Sequence, residues 1–460
     1  MMKKMINNEL KVFELSLIWS EAKYNFAFWE NLNETLDWDK AYKDALPRVL
    51  ATDNLYDYYM ELSRFISLLR DGHTRISRFP QSLRATFTSL PIDIRYLAGH
   101  HVIVNMDKSL ENDIKPFSII KKFDGVDIFE YIEKNLFPYY WHEKYDTACD
   151  NLDYVITRGT KEDEVELALE FDGVSKTVSV KRRHAGAETD WAYSYNNFNM
   201  NTPCEELQEL YASESHTIKK TKDNIGIITI DTFSNDNLGE EFCANQEILE
   251  NIQGFIIDVR SNYGGSSPNG DAVAKAFIAG DFPNNRDLRP VYIGTYRAWA
   301  QFWDFGDKTY DEVIAEHGQN DFIEQFYKIP KHIYYEDKIT TVNNDCPFLL
   351  NAPLVVLSSC NTGSAAEDFL VTLDQAERAV IIGTASGGST GQPLFIELES
   401  GGSFQICTHK CKYPDGREFI NIGVQPHIKC EMTLDDYING SDSVMNRGLE
   451  EIRSLMINRR

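Results

Sequence analysis

Ser364, His73 and the glycine pair Gly264-Gly265 are residues of this chain whose types and settings could do covalent chemistry. A serine hydroxyl is a poor nucleophile at neutral pH. It needs a base within hydrogen-bond reach and N–H donors placed for a developing oxyanion. Ser364 follows an apolar run at 354–357 and a polar, glycine-containing turn at 358–363. After it, Ala365, Ala366, Phe369, Leu370 and Leu373 recur at helical spacing, with Glu367 and Asp368 in the first turn, where acids suit the helix dipole. Ser364 therefore stands where a strand ends and a helix begins, a place that exposes the side chain and aims backbone N–H groups outward. It is also the place where serine often serves only as a helix cap, and this segment alone favours the cap. His73 lies in Asp71-Gly-His-Thr-Arg75, after a helical stretch, where Gly72 lets the backbone turn and present an imidazole. A lone histidine there is more often a helix C-terminal cap. Gly264-Gly265 closes Asp258-Val-Arg-Ser-Asn-Tyr-Gly-Gly at a strand exit. The pair allows unusual torsions and close approach to a ligand, but lacks the spacing of a phosphate-binding fingerprint.

The elements that must position these residues change character along the chain. Residues 8–70 read as helices: Tyr58, Leu62, Phe65 and Leu69 share one face, and the aromatic run Trp19, Tyr24, Phe26, Phe28 and Trp29 reads as core. From 84 to 185 the pattern becomes short strands and turns, with a helix at 128–135 and a hairpin around Asp172-Gly173. A polar stretch at 186–222 reads as an exit linker. From Asn224 onward, strands at 225–230, 255–259, 354–357 and 379–383 alternate with helices, which implies an α/β layer with a largely parallel sheet. The segment 291–334, rich in aromatics and charges, is long for a connector and reads as a helical insertion that either walls a groove or serves ordinary packing.

Composition sets the bounds. At 460 residues the chain should hold about two or three domains. A formal net charge of −25 argues against a nucleic-acid partner. Eight scattered cysteines fit reduced thiols better than a disulfide framework. Cys407, His409 and Cys411 would share one face of a single strand, but zinc needs about four ligands and no second Cys/His pair lies nearby, so no metal is expected. Residues 1–17 carry lysines without a long apolar run or a small-residue cleavage site, so no signal peptide is read there. The expected compartment is the cytoplasm for the chain as it stands, and outside it for a chain whose leader has been removed. No run of about 20 apolar residues suggests a membrane span.

Taken in order, these pieces resemble the C-terminal-processing and tricorn-core serine peptidases. The resemblance rests on Leu-Arg-Asp-Gly-His73-Thr, Asn224-Ile-Gly-Ile-Ile-Thr-Ile, Ile256-Ile-Asp-Val-Arg-Ser-Asn-Tyr-Gly-Gly265 and Thr362-Gly-Ser-Ala-Ala-Glu367. It continues in Gly383-Thr-Ala-Ser-Gly-Gly-Ser-Thr-Gly-Gln392 and Tyr413-Pro-Asp-Gly-Arg-Glu-Phe followed by Gly423-Val-Gln-Pro426. It implies an α/β multidomain protein: a helical unit at 1–80 carrying the catalytic histidine, a PDZ-like β-rich module at 84–185, a crotonase-like catalytic domain at 222–440 and a C-terminal helix at 441–460. Phe123-Asp-Gly-Val-Asp-Ile-Phe matches a typical turn of PDZ modules.

The resemblance also implies roles. The nucleophile falls on Ser364, and the oxyanion donors on Ala365 and the Gly264/Gly265 backbone. One branch of the family places a lysine base about 25 residues after the serine, but Ser389 occupies that position here. The other branch takes a histidine from the helical entry, which falls on His73, oriented by a glutamate for which Glu418 is chosen. That branch has a serine before its histidine where this chain has Gly72, leaving Thr74 or Ser389 as an auxiliary hydroxyl. The implied activity is peptide-bond hydrolysis through an acyl-enzyme, on peptides or unfolded proteins, without a cofactor. Family members often assemble, which makes a homo-oligomer an expectation. The alternative is a non-catalytic peptide- or lipid-binding scaffold of the same fold.

Overall fold

The computed structural model describes residues 6–458 apart from 33–34, 141–143, 194–204, 292–297, 299–307, 320–322, 325–326, 328–332 and 344. It is a mixed α/β protein of several units. A seven-stranded sheet carries the candidate residues. Its order is Gln208–Ala212, Thr217–Lys220, Ile225–Thr229, Gly254–Asp258, Leu354–Ser358, Val380–Gly383 and Ile428–Lys429. From Ile225–Thr229 onward every pairing is parallel, which matches the strand–helix alternation of the sequence. The central strand is buried on both faces, as an unbroken apolar run requires. Leu354 and Val356 pack with Phe369 and Leu370 of the helix Ala365–Gln375, while Val355 and Leu357 meet Leu449 and Ile452 of the C-terminal helix Ser443–Asn458.

The polar stretch expected as a linker contributes the first two strands of this sheet. They pair antiparallel with each other and then with Ile225–Thr229. Ile218 is the one fully buried apolar residue between them, too sparse an apolar signal to betray strands.

The second sheet runs Ile92–Leu97, His100–Met106, Ser118–Phe123, Glu164–Phe171 and Val174–Lys181, with the helix Ile128–Asn135 packed against it. Asp172 and Gly173 both adopt positive φ, 49° and 72°, as a two-residue hairpin turn needs.

The helices Asn8–Asn25, Trp38–Leu50 and Leu55–Ile66 bury Tyr58, Leu62, Phe65 and Leu69 as expected; of the aromatic run, Phe26, Phe28 and Trp29 are core, Trp19 is partly buried and Tyr24, on the outer face of its helix, is exposed. That core also includes Leu398, Phe404, Ile406 and Cys407 from the hairpin Pro393–Glu397 and Ser403–Cys407. The helical unit is thus welded to a late part of the chain. Directly after its last turn, the strand Arg75–Arg78 pairs antiparallel with Ser403–Cys407.

The insertion expected at 291–334 is described at Tyr310–His317 and a few other positions; the rest lies outside the described residues. Its base is a hairpin, Phe282–Val291 against Ile333–Thr341, and the first of these strands also pairs with Lys410–Lys412. The single strand expected through Cys407, His409 and Cys411 is broken at 408–409. Cys407 pairs with Pro393, whereas Cys411 pairs with Asp287 in a different sheet.

Candidate active site

Parallel strands deliver their C-terminal ends to one edge of the sheet, and the turns that follow Gly254–Asp258 and Leu354–Ser358 meet there. Side chains lace the two turns together. Thr362 Oγ1 donates to the Val259 carbonyl at 2.9 Å and Ser359 Oγ to the Arg260 carbonyl at 2.6 Å. The Gly363 N–H reaches the Asn262 carbonyl at 3.0 Å. Asn262, fully buried, donates its amide to the Ile230 carbonyl at 3.0 Å and accepts the Gly264 N–H at 2.9 Å.

Ser364 enters the helix Ala365–Gln375 with φ 53° and ψ −126° and makes no capping hydrogen bond with its side chain. It sits in the cap position without doing the capping. A non-glycine residue held at positive φ costs about 1–3 kcal/mol, which the laced turns must supply. Gly264, at φ 102°, lies so close that an added Cβ would fall 2.6 Å from Ser364 Cβ and 2.9 Å from the Ala365 nitrogen. At Gly265 a Cβ would fall 2.4 Å from the Phe233 backbone. Only glycine fits either position. The Ala365 N–H, at the first helical position, and the Gly265 N–H have no acceptor among the described residues. Two such donors beside a strained hydroxyl form a geometry that can hold a negatively charged oxygen.

Ser389 joins this turn to the helical entry. Its carbonyl accepts the Ser364 N–H at 2.9 Å, and its hydroxyl hydrogen-bonds His73 Nδ1 at 2.7 Å, across 316 positions of sequence. The His73 backbone is fixed in turn, because Gln405 donates its amide to the His73 carbonyl at 2.9 Å. Thr74 is buried and fully engaged: its hydroxyl donates to Asp71 and accepts the Cys407 N–H at 2.9 Å. The position that could have carried a lysine thus holds a hydroxyl on the imidazole.

Glu418, chosen to face the imidazole, lies elsewhere. Its carboxylate pairs with Lys412 Nζ at 2.6 Å, and its side chain is 51% exposed. The group bonded to Nδ1 is Ser389.

Two residues of this site were not singled out in the sequence. Glu367, read as a dipole-favourable acid, is fully buried. Its carboxylate accepts from Ser386 Oγ at 2.5 Å, the Gly388 N–H at 2.7 Å and the Ser389 N–H at 2.8 Å. Burial pushes its pKa up to about 7, against the pull of those donors. Glu367 therefore shapes the turn that carries Ser389. The pattern Ser-Ala-Ala-Glu held a signal, since position 367 lies one helical turn after 364 and shares its face. Lys144 reaches the same turn from the second unit, donating to the Ser386 carbonyl at 2.7 Å and the Ala385 carbonyl at 3.3 Å. Its burial lowers its pKa.

Beside the site, a cavity of about 520 Å³ opens between the second sheet and the turn at Tyr263. Leu90, Ile92, Arg95, Asp150 and Trp191 line it with Tyr263, the residue before Gly264.

Comparison with known proteins shows what the chain is similar to. Residues 224–430 match the model of peptidase family S41. The chain is similar to the carboxy-terminal-processing protease of Bartonella bacilliformis, 20% identical over 415 residues that cover 88% of this chain and 82% of that one. It is similar to the carboxy-terminal processing protease CtpB of Bacillus subtilis, 21% identical over 403 residues, 86% of this chain and 64% of that one. In fold it is similar to mature CPAF, with a TM-score of 0.75, 16% identity and 98% of each chain covered.

Proposed function

We propose a catalytic assignment for this chain, which is a serine-type peptidase of family S41 related to the carboxy-terminal-processing proteases. Ser364 is the nucleophile, His73 its general base, and Ala365 and Gly265 the oxyanion donors. Gly264 acts by its lack of a side chain, since its own N–H is spent on Asn262. The observation that carries the assignment is Ser389, which holds the Ser364 backbone and the His73 ring at once.

In the acylation step Nε2 of His73 takes the Ser364 proton as Oγ adds to the peptide carbonyl. The Ala365 and Gly265 N–H groups stabilise the oxyanion. The imidazolium then gives its proton to the departing amine, and water, deprotonated by the same ring, releases the acyl group. For Nε2 to act as base, Nδ1 must carry the hydrogen, which it donates to Ser389 Oγ. Ser389 is thereby a positioning residue that fixes tautomer and ring direction, the role expected of Glu418 from the sequence. A neutral hydroxyl stabilises the imidazolium less than a carboxylate does, so the turnover of this pair depends more on alignment than on charge.

The substrate is the C-terminal part of a peptide or unfolded protein, as the names of the relatives indicate for those enzymes. The seven-stranded unit serves as a crotonase-like catalytic domain, and the second sheet as a PDZ-like module that hands an extended peptide through the cavity beside Tyr263. The assignment is tested by a serine-reactive fluorophosphonate. Folded wild-type protein should be labelled at Ser364, and Ser364→Ala should not. A folded, monodisperse wild-type protein that resists labelling would sink the assignment in favour of a non-catalytic binding role.

A further inference from the structure

Away from the Ser364 turn, one set of side chains has the composition of a metal centre. We infer that Asp287, His409 and Cys411 bind a divalent cation of the zinc class. One ligand atom from each lies within 4.8 Å of the others. The fold brings them together for a simple reason. Asp287 and Cys411 are directly opposed across the antiparallel pair of Phe282–Val291 and Lys410–Lys412, and His409, just before that strand, comes within reach of both.

The spacing suits zinc. Asp287 Oδ1 and Cys411 Sγ are 3.4 Å apart. A tetrahedral zinc with Zn–S of about 2.3 Å and Zn–O of about 2.0–2.2 Å holds its sulfur and oxygen about 3.5 Å apart. Magnesium and calcium take oxygen ligands, whereas a thiolate, an imidazole and a carboxylate together select zinc or a neighbouring transition metal. The carboxylate also has an outer partner: Arg289 Nη2 lies 3.6 Å from Asp287 Oδ2, the oxygen turned away from the thiol, while its Nη1 pairs with Asp337 at 3.1 Å. Cys411 is buried, but His409 and Asp287 are not fully so, which gives an ion a way in.

The strand break at 408–409 makes this set possible. It sends Cys407 to a different sheet and turns Cys411 toward Asp287. A bound ion would staple the insertion hairpin 282–341 to the segment 403–412, which anchors His73 through Gln405. The site rests on these three side chains and on no catalytic role.

The test is cobalt binding to the full chain after chelator treatment and buffer exchange. One equivalent of cobalt should bind per chain, with tetrahedral visible absorption and a thiolate-to-cobalt charge-transfer band, and zinc should displace it. Cys411→Ser should lose the charge-transfer band and Cys407→Ser should keep it. Asp287→Asn and His409→Gln should each weaken cobalt affinity by about tenfold or more. Absence of the band in wild-type protein, or its survival in folded Cys411→Ser, overturns the site. Should Cys411→Ser fail to fold, His409→Gln decides: unchanged cobalt affinity there overturns it equally.

Discussion

Two buried acidic centres near the end of the seven-stranded sheet handle charge in opposite ways. Arg260 is buried between Asp258 and Asp442, and its guanidinium contacts both oxygens of each at 2.7–2.9 Å. Asp442 also accepts the Met445 N–H at 2.8 Å, so the cluster clamps the C-terminal helix to the strand Gly254–Asp258. Glu367 is equally buried, yet it accepts from neutral donors: two backbone amides and a hydroxyl. Asp368 beside it is held by Ser267 at 2.6 Å, Asn285 at 2.5 Å and Thr390 at 3.3 Å. Burial pushes both carboxyl groups up to about 7. The first centre uses opposite charges to hold elements together. The second uses a carboxylate to shape a turn, and burial brings its titration close to neutral pH.

The contrast is testable at each centre. Arg260→Met leaves two carboxylates buried without their cation and should cost about 3–5 kcal/mol of stability in denaturant unfolding. Hydrolysis per folded molecule should stay near wild type. Glu367→Ala should do the reverse in emphasis. It strands the Gly388 and Ser389 amides, lets the turn drift, and should lower kcat/KM by about a hundredfold, as misplacement near a reacting group does. An Arg260 variant that folds normally but fails to turn over would break the distinction.

Acidity sharpens it. Glu367 and Asp368 rise to about 7 from unfolded values of 4.5 and 3.8, so folding favours their protonated forms. Their contribution to stability is fully present below about pH 4 and is lost as pH rises through 7. Each group adds at most about 1.4 kcal/mol per pH unit to that slope. Urea unfolding at pH 5 and pH 8 should therefore show a smaller pH dependence in Glu367→Gln than in wild type; equal slopes would remove Glu367 from the account. The smallest effect belongs to Ser389→Ala. It removes one orienting hydrogen bond of about 1–1.5 kcal/mol, and kcat should fall roughly tenfold with KM little changed.

The sequence made the central sheet legible because its strands are buried on both faces and read as continuous apolar runs. Gln208–Ala212 at the sheet edge and Thr217–Lys220 beside it carry few buried apolar residues, and so read as a linker. Ser364, His73 and Gly264-Gly265 were legible as an ordered set, and the structure brings Ser364 and His73 to one residue, Ser389. What chain order could not give was the partner of the imidazole. Glu418 lies in the loop after the strand Lys410–Lys412 and pairs with Lys412, whereas Ser389, on the turn whose amides Glu367 accepts, reaches His73. The Asp287–Cys411 pairing was hidden for the same reason: its two halves are 124 residues apart.

The central claim is that Ser364 and His73 work as one unit. The direct measurement is kcat/KM on a peptide substrate for Ser364→Ala, His73→Ala and the double variant, each verified as folded. The account predicts that each single change lowers activity by roughly a thousandfold or more, and that the double variant is no worse than the more damaged single one. Full activity in His73→Ala, or losses that multiply in the double variant, would contradict it.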